Sequence, residues 1–286
     1  MADAPVAITG ATGRLGGRVA RRLSLLGLPL RLIVRDPKRA PALPGAEVRV
    51  ATYDAREALI RALEGVRTVF FVSATEAPAR REQHFTFIDA AATAGVETVV
   101  YTSFFGAAPD ATFTFARDHW ATEEHLRAQR FASVMLRDNL YLDFLPGLAG
   151  ADGVIRGPAG QGRVAAVAQD DIAEVAATIL ANPTPHLGRT YSLTGPQALT
   201  LAQVADILSR RLGRELRYHD ETIEEAYRSR EVYRAERWQV DAWVSTYTAI
   251  AAGELATVTS DVEHVTGHPP MDLDTLLHLQ PASVES

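Results

Sequence analysis

The sequence predicts an α/β fold built on a doubly wound parallel sheet, with a smaller carboxyl-terminal α/β region folded over the sheet's edge. Three observations predict it. The strand candidates of the first half are near-continuous apolar runs, as expected where a sheet is covered on both faces. An amphipathic stretch separates several of them, and right-handed strand–helix–strand crossovers wind such a sheet both ways. After Arg137 this alternation loosens, so the second half is expected to follow a different plan.

The elements follow in order. "VAITG" (from Val6) leads into "RLGGRVARRLSLLG" (from Arg14), the first strand and first helix. "LRLIV", "AEVRVA" and "RTVFFVS" supply three more strands, and "EQHFTFIDAAATAG" a helix behind them. "ETVVYTS", "RDHWATEEHLRAQ" and "ASVMLR" give strand, helix and strand again. "GPAGQGR" reads as a glycine-rich turn, "QDDIAEVAATILAN" as a capped helix closed by Asn182-Pro183, and "RTYSLTG" as a strand. Helices are expected from Leu201 to Leu212, with Thr200 and Gln203 forming a capping box, and from about Tyr233 to Ala252. There is no long linker, internal repeat or low-complexity tract.

Composition narrows the function. A net charge of −6 argues against a nucleic-acid binder, and the basic runs "RVARRL" and "SRRLGREL" read as solvated helix faces. The absence of cysteine excludes disulfides, thiolate metal sites and a cysteine nucleophile. No run reaches the roughly 18 apolar residues of a membrane span, and the first residues lack a secretory pattern. A cytoplasmic protein with no membrane and no nucleic-acid partner is expected, and a homodimer is compatible with the sequence. His264 and His268 are four apart, but Gly267 and Pro269-Pro270 break a helix there, so no metal pair is expected. No Gly-x-Ser-x-Gly elbow is present.

Gly10, Gly13 and Gly16 form G-x-x-G-x-x-G between the first strand and first helix, with Thr12, Arg14 and Leu15 filling the loop. The first glycine permits the turn, the second lets the backbone approach a pyrophosphate, and the third lets helix and strand pack closely. The helix start then offers free N–H groups to the phosphates. Residues 1–150, completed by parts of 163–195, are therefore read as an NAD(P)-binding Rossmann domain, and 151–286 as a substrate-binding region. Where an NAD binder carries a carboxylate after its second strand, this chain carries Arg35, with Lys38 close behind. A guanidinium pairs bidentately with phosphate, which favours NADPH over NADH. Asp36 would repel a 2′-phosphate if it pointed inward. Asp54, Ser73, Ala74, Thr75, Ser103 and Asn139 are expected to complete the cofactor contacts at the strand ends.

Lys38 is the only lysine, which excludes a Tyr-x-x-x-Lys catalytic pair. The corresponding helix instead carries His119. "TGATGRLGG", the Arg-Asp-Pro after the second strand, "YTSFFG", His119-x-x-Thr122-Glu123 and "LRDNLYLDF" together resemble the NmrA-like branch of atypical short-chain dehydrogenases/reductases. Within it the chain is most similar to the quinone oxidoreductase and triphenylmethane dye reductase group, almost end to end. The resemblance implies an NADPH-binding Rossmann core, a small carboxyl-terminal domain, and hydride transfer to a quinone-like or dye-like acceptor. The same family contains non-catalytic NADP(H)-sensing regulators that act through a protein partner, which is the alternative.

A quinone or cationic dye needs less general acid than a ketone, because the arriving charge is delocalised or neutralised. Ser103, His119 and Tyr141 are expected to border the nicotinamide as the catalytic set. Phe104, Phe105, Tyr141 and Trp238 are expected to bind a small planar acceptor by ring stacking. Trp243 and Tyr247, four apart on one helix face, read as packing between the two regions.

Overall fold

The computed structural model describes residues 4–279, so residues 1–3 and 280–286 at the ends of the two expected units lie outside the described residues. Among the described residues eleven strands and ten helices follow one another: β1 (Val6–Thr9), α1 (Arg14–Leu25), β2 (Leu30–Val34), β3 (Glu47–Val50), α2 (Arg56–Leu63), β4 (Thr68–Phe71), α3 (Arg80–Thr93), β5 (Thr98–Phe104), α4 (Thr114–Arg127) and β6 (Ala132–Asp138). The second half adds β7 (Val154–Gly157), β8 (Arg163–Val164), α5 (Gln169–Ala181), β9 (Thr190–Leu193), β10 (Leu199–Thr200), α6 (Leu201–Leu212), β11 (Arg217–Asp220), α7 (Ile223–Ser229), α8 (Arg237–Ala251), α9 (Asp261–Thr266) and α10 (Leu273–Leu279).

The main sheet runs β3-β2-β1-β4-β5-β6-β9, and every pair in it is parallel. Its apolar strands are buried because both faces are covered. Ile8, Val100 and Leu136 meet α1 and α5 on one side. Val69, Val99 and Tyr101 meet α2, α3 and α4 on the other. The order reverses between β1 and β4, and the crevice at such a switch point is where open α/β sheets bind ligands.

Two small sheets, β7 with β11 and β8 with β10, join α6, α8 and α10 around a second core. This region packs on the sheet's carboxyl edge through Phe113, Phe115 and Leu142. Here Gly162 is required by contact rather than by conformation. A Cβ there would collide with the Ile250 carbonyl of α8.

Two local expectations are corrected, and several short elements are added. Helix α5 is not capped by its own sequence: Ala168 occupies the cap, and Asp143 supplies the missing acceptor to the Gln169 N–H at 2.8 Å. Helix α8 starts at Arg237 rather than Tyr233, because Arg234 turns left-handed (φ 49°) and Glu236 forms a capping box with Gln239. The short helices α2, α7, α9 and α10 and the four strands of the small sheets escaped a reading based on long periodic runs. The capping box of Thr200 and Gln203 is present on α6. No helix of the described residues is long and apolar enough to cross a membrane.

Gly162→Ala is expected to destabilise the fold by about 1–3 kcal/mol through overpacking against α8. The urea midpoint measures it, and an unchanged midpoint would show that α8 yields freely.

Candidate functional site

A groove of about 480 Å³ runs along the carboxyl ends of β1, β2, β3 and β4. Gly10, Thr12 and Gly13 form its floor beside Arg35, Asp54, Ser73, Ala74 and Thr75. Gly10 takes φ +64°, a left-handed conformation that suits glycine. A Cβ on Gly16 would strike the Gly10 carbonyl, so the third glycine lets α1 rise tight against β1. The cap of α1 is Gly13, with no side chain bonding to the first turn, so those N–H groups are left for a ligand. This cradle fits a pyrophosphate.

Further groove residues went unseen in the sequence. Tyr53, after β3, places its hydroxyl 2.6 Å from both the Val72 carbonyl and Thr9 Oγ1, and burial pushes its pKa up. Val72 N–H also donates to Thr9 Oγ1 at 2.9 Å, so one hydroxyl pair locks three strand ends beneath the groove. No local pattern marks Tyr53, whose partners are far away in the chain.

Other expected cofactor residues sit elsewhere. Lys38 and Arg14 do not line the groove; the Arg14 guanidinium lies 5.8 Å from the Phe144 ring. Leu15 is buried in the core. Asp36, the residue that would oppose a phosphate, is turned away: its carboxylate accepts from Lys38 N–H at 3.0 Å and caps the 3-10 turn Pro37–Arg39. Arg35 remains the guanidinium lining the groove.

Ser103 and Asn139 are committed to the protein. Along β5 the side chains alternate, so Ser103 shares the face of Val99 and Tyr101 and turns toward α4. Its hydroxyl donates to Glu123 at 2.5 Å. Glu123 is itself fully buried between Arg127 and Arg137. Thr102 is the β5 residue that meets the groove loop, accepting from Ser73 N–H at 2.8 Å. Asn139 donates to the Leu255 carbonyl and accepts from Leu140 N–H, tying the two regions together.

His119 is also enclosed. Its Nε2 lies 2.8 Å from Arg80 Nη2 and its Nδ1 2.8 Å from the Tyr101 hydroxyl. Arginine can only donate, so Nε2 accepts and the ring proton sits on Nδ1. Burial and the Arg80 charge hold the His119 pKa well below the ordinary value. A neutral ring with both nitrogens occupied is a poor general acid, which corrects the catalytic expectation for His119. His84 repeats the pattern, accepting from Ala74 N–H and bonding Thr122, with its pKa lowered by burial and then by Arg80. Arg80 Nε returns to the Ala74 carbonyl at 2.9 Å. The network thus grips Ala74 from both sides and holds the loop that walls the groove.

A second, larger hollow of about 700 Å³ lies between Tyr141, the 3-10 segment Leu142–Leu148 and α8. Tyr141, Phe144, Tyr233, Trp243 and Tyr247 give it an aromatic lining. Arg230, paired with Glu221 at 2.9 Å, lies 5.1 Å from the Tyr247 ring. Tyr247 therefore lines the cavity and also packs against the second core, as expected, whereas Trp243 lines the cavity instead of filling a core. Phe104, Phe105 and Trp238 do the reverse. Phe104 packs on Phe113 at 4.8 Å, Phe105 joins the second core, and Trp238 stands edge-on to Phe115. The loop holding the phenylalanines is covered by the second region, which no local signal reveals. The two hollows share no lining residue, but they are near neighbours: Gly13 lines the groove, and the next residue, Arg14, lies 5.8 Å from the ring of Phe144 in the cavity. His268, beyond α9, pairs with Glu174 rather than His264.

A family model described as the NmrA-like family matches residues 2–259. The NAD(P)H azoreductase of Xenophilus azovorans is 33% identical over 269 residues, covering 92% of this chain and 93% of that protein. The NADPH complex of the quinone oxidoreductase QOR2 from Escherichia coli superposes with a TM-score of 0.87 at 31% identity, over 96% of this chain and 99% of that one. The NADP(H) complex of triphenylmethane reductase from Citrobacter sp. gives 0.86 at 31%, again over 96% and 99%.

The two enclosed histidines set a pH dependence of stability. Both stay neutral in the fold while the unfolded chain takes protons below about pH 6.5. The unfolded state then binds more protons, so stability falls as pH drops, by up to about 1.4 kcal/mol per unit for each ring. Urea midpoints from about pH 7 down to about pH 5 should decline, and less steeply in His119→Gln. Constant stability over that range would contradict the neutral assignment.

Proposed function

This chain belongs to the NmrA-like family, and from that premise we propose that it passes hydride from NADPH to a flat, electron-poor acceptor of the quinone, azo or cationic-dye class, seated in the aromatic cavity. It is an NAD(P)H-dependent oxidoreductase. The observation that carries the finer reading is the cavity itself, aromatic on several sides and close to the glycine loop through Arg14 and Phe144. A sensor of the cofactor alone has no need of a second hollow of about 700 Å³ there.

NADPH bound in the groove supplies two electrons and a hydrogen nucleus as hydride. The residues of this chain do the rest. Gly10, Gly13 and Gly16 seat the pyrophosphate, and Arg35 pairs with the 2′-phosphate while Asp36 is kept on its own turn. Asp54 and the Ser73–Thr75 loop flank the remaining length of the cofactor. Trp243, Tyr247 and Phe144 offer faces on which a planar acceptor stacks. Holding the two reactants together contributes roughly 7–11 kcal/mol of the barrier, against about 3–5 kcal/mol from general acid catalysis. Positioning is therefore the larger share of the catalysis.

Purified protein with NADPH is expected to oxidise it on addition of quinones, azo compounds or cationic dyes, followed by loss of the reduced-nicotinamide absorbance. No acceptor-dependent oxidation, with equal affinity for oxidised and reduced cofactor, would leave the sensing alternative instead. Arg35→Glu should lower the preference for NADPH over NADH by about 10- to 100-fold, the worth of a hydrogen bond to a charged group. An unchanged ratio would mean that another group holds the phosphate.

A further inference from the structure

We propose that Asp138, acting through the Tyr141 hydroxyl, delivers the proton that accompanies hydride onto an acceptor oxygen or nitrogen in the aromatic cavity. The inference rests on the reading that this cavity takes the acceptor.

Asp138 is the last residue of β6, paired with Phe104 on one side and Leu193 on the other. Strand alternation gives it the same face as Val134 and Leu136, and it is 1% exposed. Its Oδ2 lies 3.2 Å from the Tyr141 hydroxyl, and its buried Oδ1 has no hydrogen-bond partner among the described residues. Glu123, equally buried, shows what a compensated carboxylate needs here: Arg127, Arg137 and the Ser103 hydroxyl all converge on it. No such cation reaches Asp138 among the ion pairs of the described residues.

An uncompensated carboxylate in such a place is costly, and the usual outcome is that it keeps its proton. Burial pushes the Asp138 pKa well above the ordinary carboxylate range, with the Tyr141 hydrogen bond offsetting part of the rise. Tyr141 is raised as well, by burial and then by Asp138. The other charges facing the pair are Arg80, which favours ionisation of Tyr141, and Asp143, which opposes it. Asp143 is already held by Arg18 of α1 and by Gln169 N–H of α5.

A phenol so raised is a weak acid alone, and no lysine is placed to prime it. A neutral carboxyl behind it removes that difficulty. With the proton on Asp138, the carboxyl O–H donates to the Tyr141 oxygen, leaving the phenol O–H for the cavity that Tyr141 lines. As hydride, with its two electrons, reaches the acceptor, the acceptor oxygen or nitrogen takes the Tyr141 proton. The same phenol oxygen receives the proton of Asp138. Tyr141 ends neutral, Asp138 ends as carboxylate, and the acceptor has gained one hydride and one proton. Water restores the Asp138 proton after product leaves. A carboxylic acid with its pKa raised toward neutrality is the acid such a step favours.

Acceptor chemistry supplies the test. A quinone or azo compound needs the proton, whereas a cationic triphenylmethane carbon is neutralised by hydride alone. Asp138→Asn should lower the ratio of quinone to dye turnover by about 10²-fold. It should also flatten the alkaline fall in kcat for the quinone. Equal losses on both acceptors would overturn the relay and leave a structural role. A second readout needs no cofactor: difference infrared spectra at neutral pH should show a protonated-carboxyl C=O stretch that Asp138→Asn lacks and Tyr141→Phe shifts. Should Asp138→Asn fail to fold, the Tyr141→Phe shift decides alone, and an absent or unmoved band contradicts the proposal. A wild type that turns over no acceptor yet shows the band would refute the cavity reading and not the buried acid.

Discussion

A parallel sheet buried on both faces has nowhere to place a charge except at its ends. Strands β1, β4 and β5 are almost wholly buried along their length, and helices close both faces. The carboxyl edge is therefore the place where polar side chains can meet a ligand, and the reversal of strand order between β1 and β4 opens the groove there. The second region then closes over the same edge with α8 and the segment after β6. The cavity forms from that closure, so its volume depends on how residues distant in sequence pack together.

Polar groups driven into this interior are nearly all compensated. Neutral His84 and His119, one guanidinium and a tyrosine hydroxyl fix the loop after β4. Glu123 is neutralised by two arginines, and Arg230 by Glu221. Removing one partner from such pairs is more damaging than their net worth suggests, because the other charge stays buried. Among the described residues, the buried side-chain atoms left without a hydrogen bond are Arg22 Nε, Arg80 Nη1 and Asp138 Oδ1. Asp138 is the acid of the three and stands beside the cavity, which sets it apart from the structural pairs.

The sequence made the scaffold legible where the signals were local. Continuous apolar runs marked the main strands, three glycines in register marked the phosphate cradle, and Thr200 with Gln203 marked the start of α6. Arg35, the position after β2 where a carboxylate or a guanidinium was expected to matter, does line the groove. What failed depended on side-chain direction or on distant partners. Ser103 was placed in the cleft because its strand ends there, yet the pleat gives that position to Thr102. His119 looked available because the sequence of its own helix does not show an arginine arriving from the start of α3. The aromatic assignments reversed for Trp243 against Phe104 and Phe105, because only the docking of the second region decides which rings are covered; Tyr247 packs as expected and lines the cavity besides. Asp138 carried no signal, since its significance is a missing partner.

On the proposed reading, the nicotinamide and a planar acceptor lie against each other, with Tyr141 in the wall of the acceptor's cavity. A crystal structure of the protein with oxidised cofactor and a bound quinone tests it most directly. The quinone ring is expected among Trp243, Tyr247 and Phe144, one face toward the nicotinamide and one oxygen within hydrogen-bond reach of Tyr141. A nicotinamide face walled off by protein, with the quinone bound elsewhere or not at all, would contradict it.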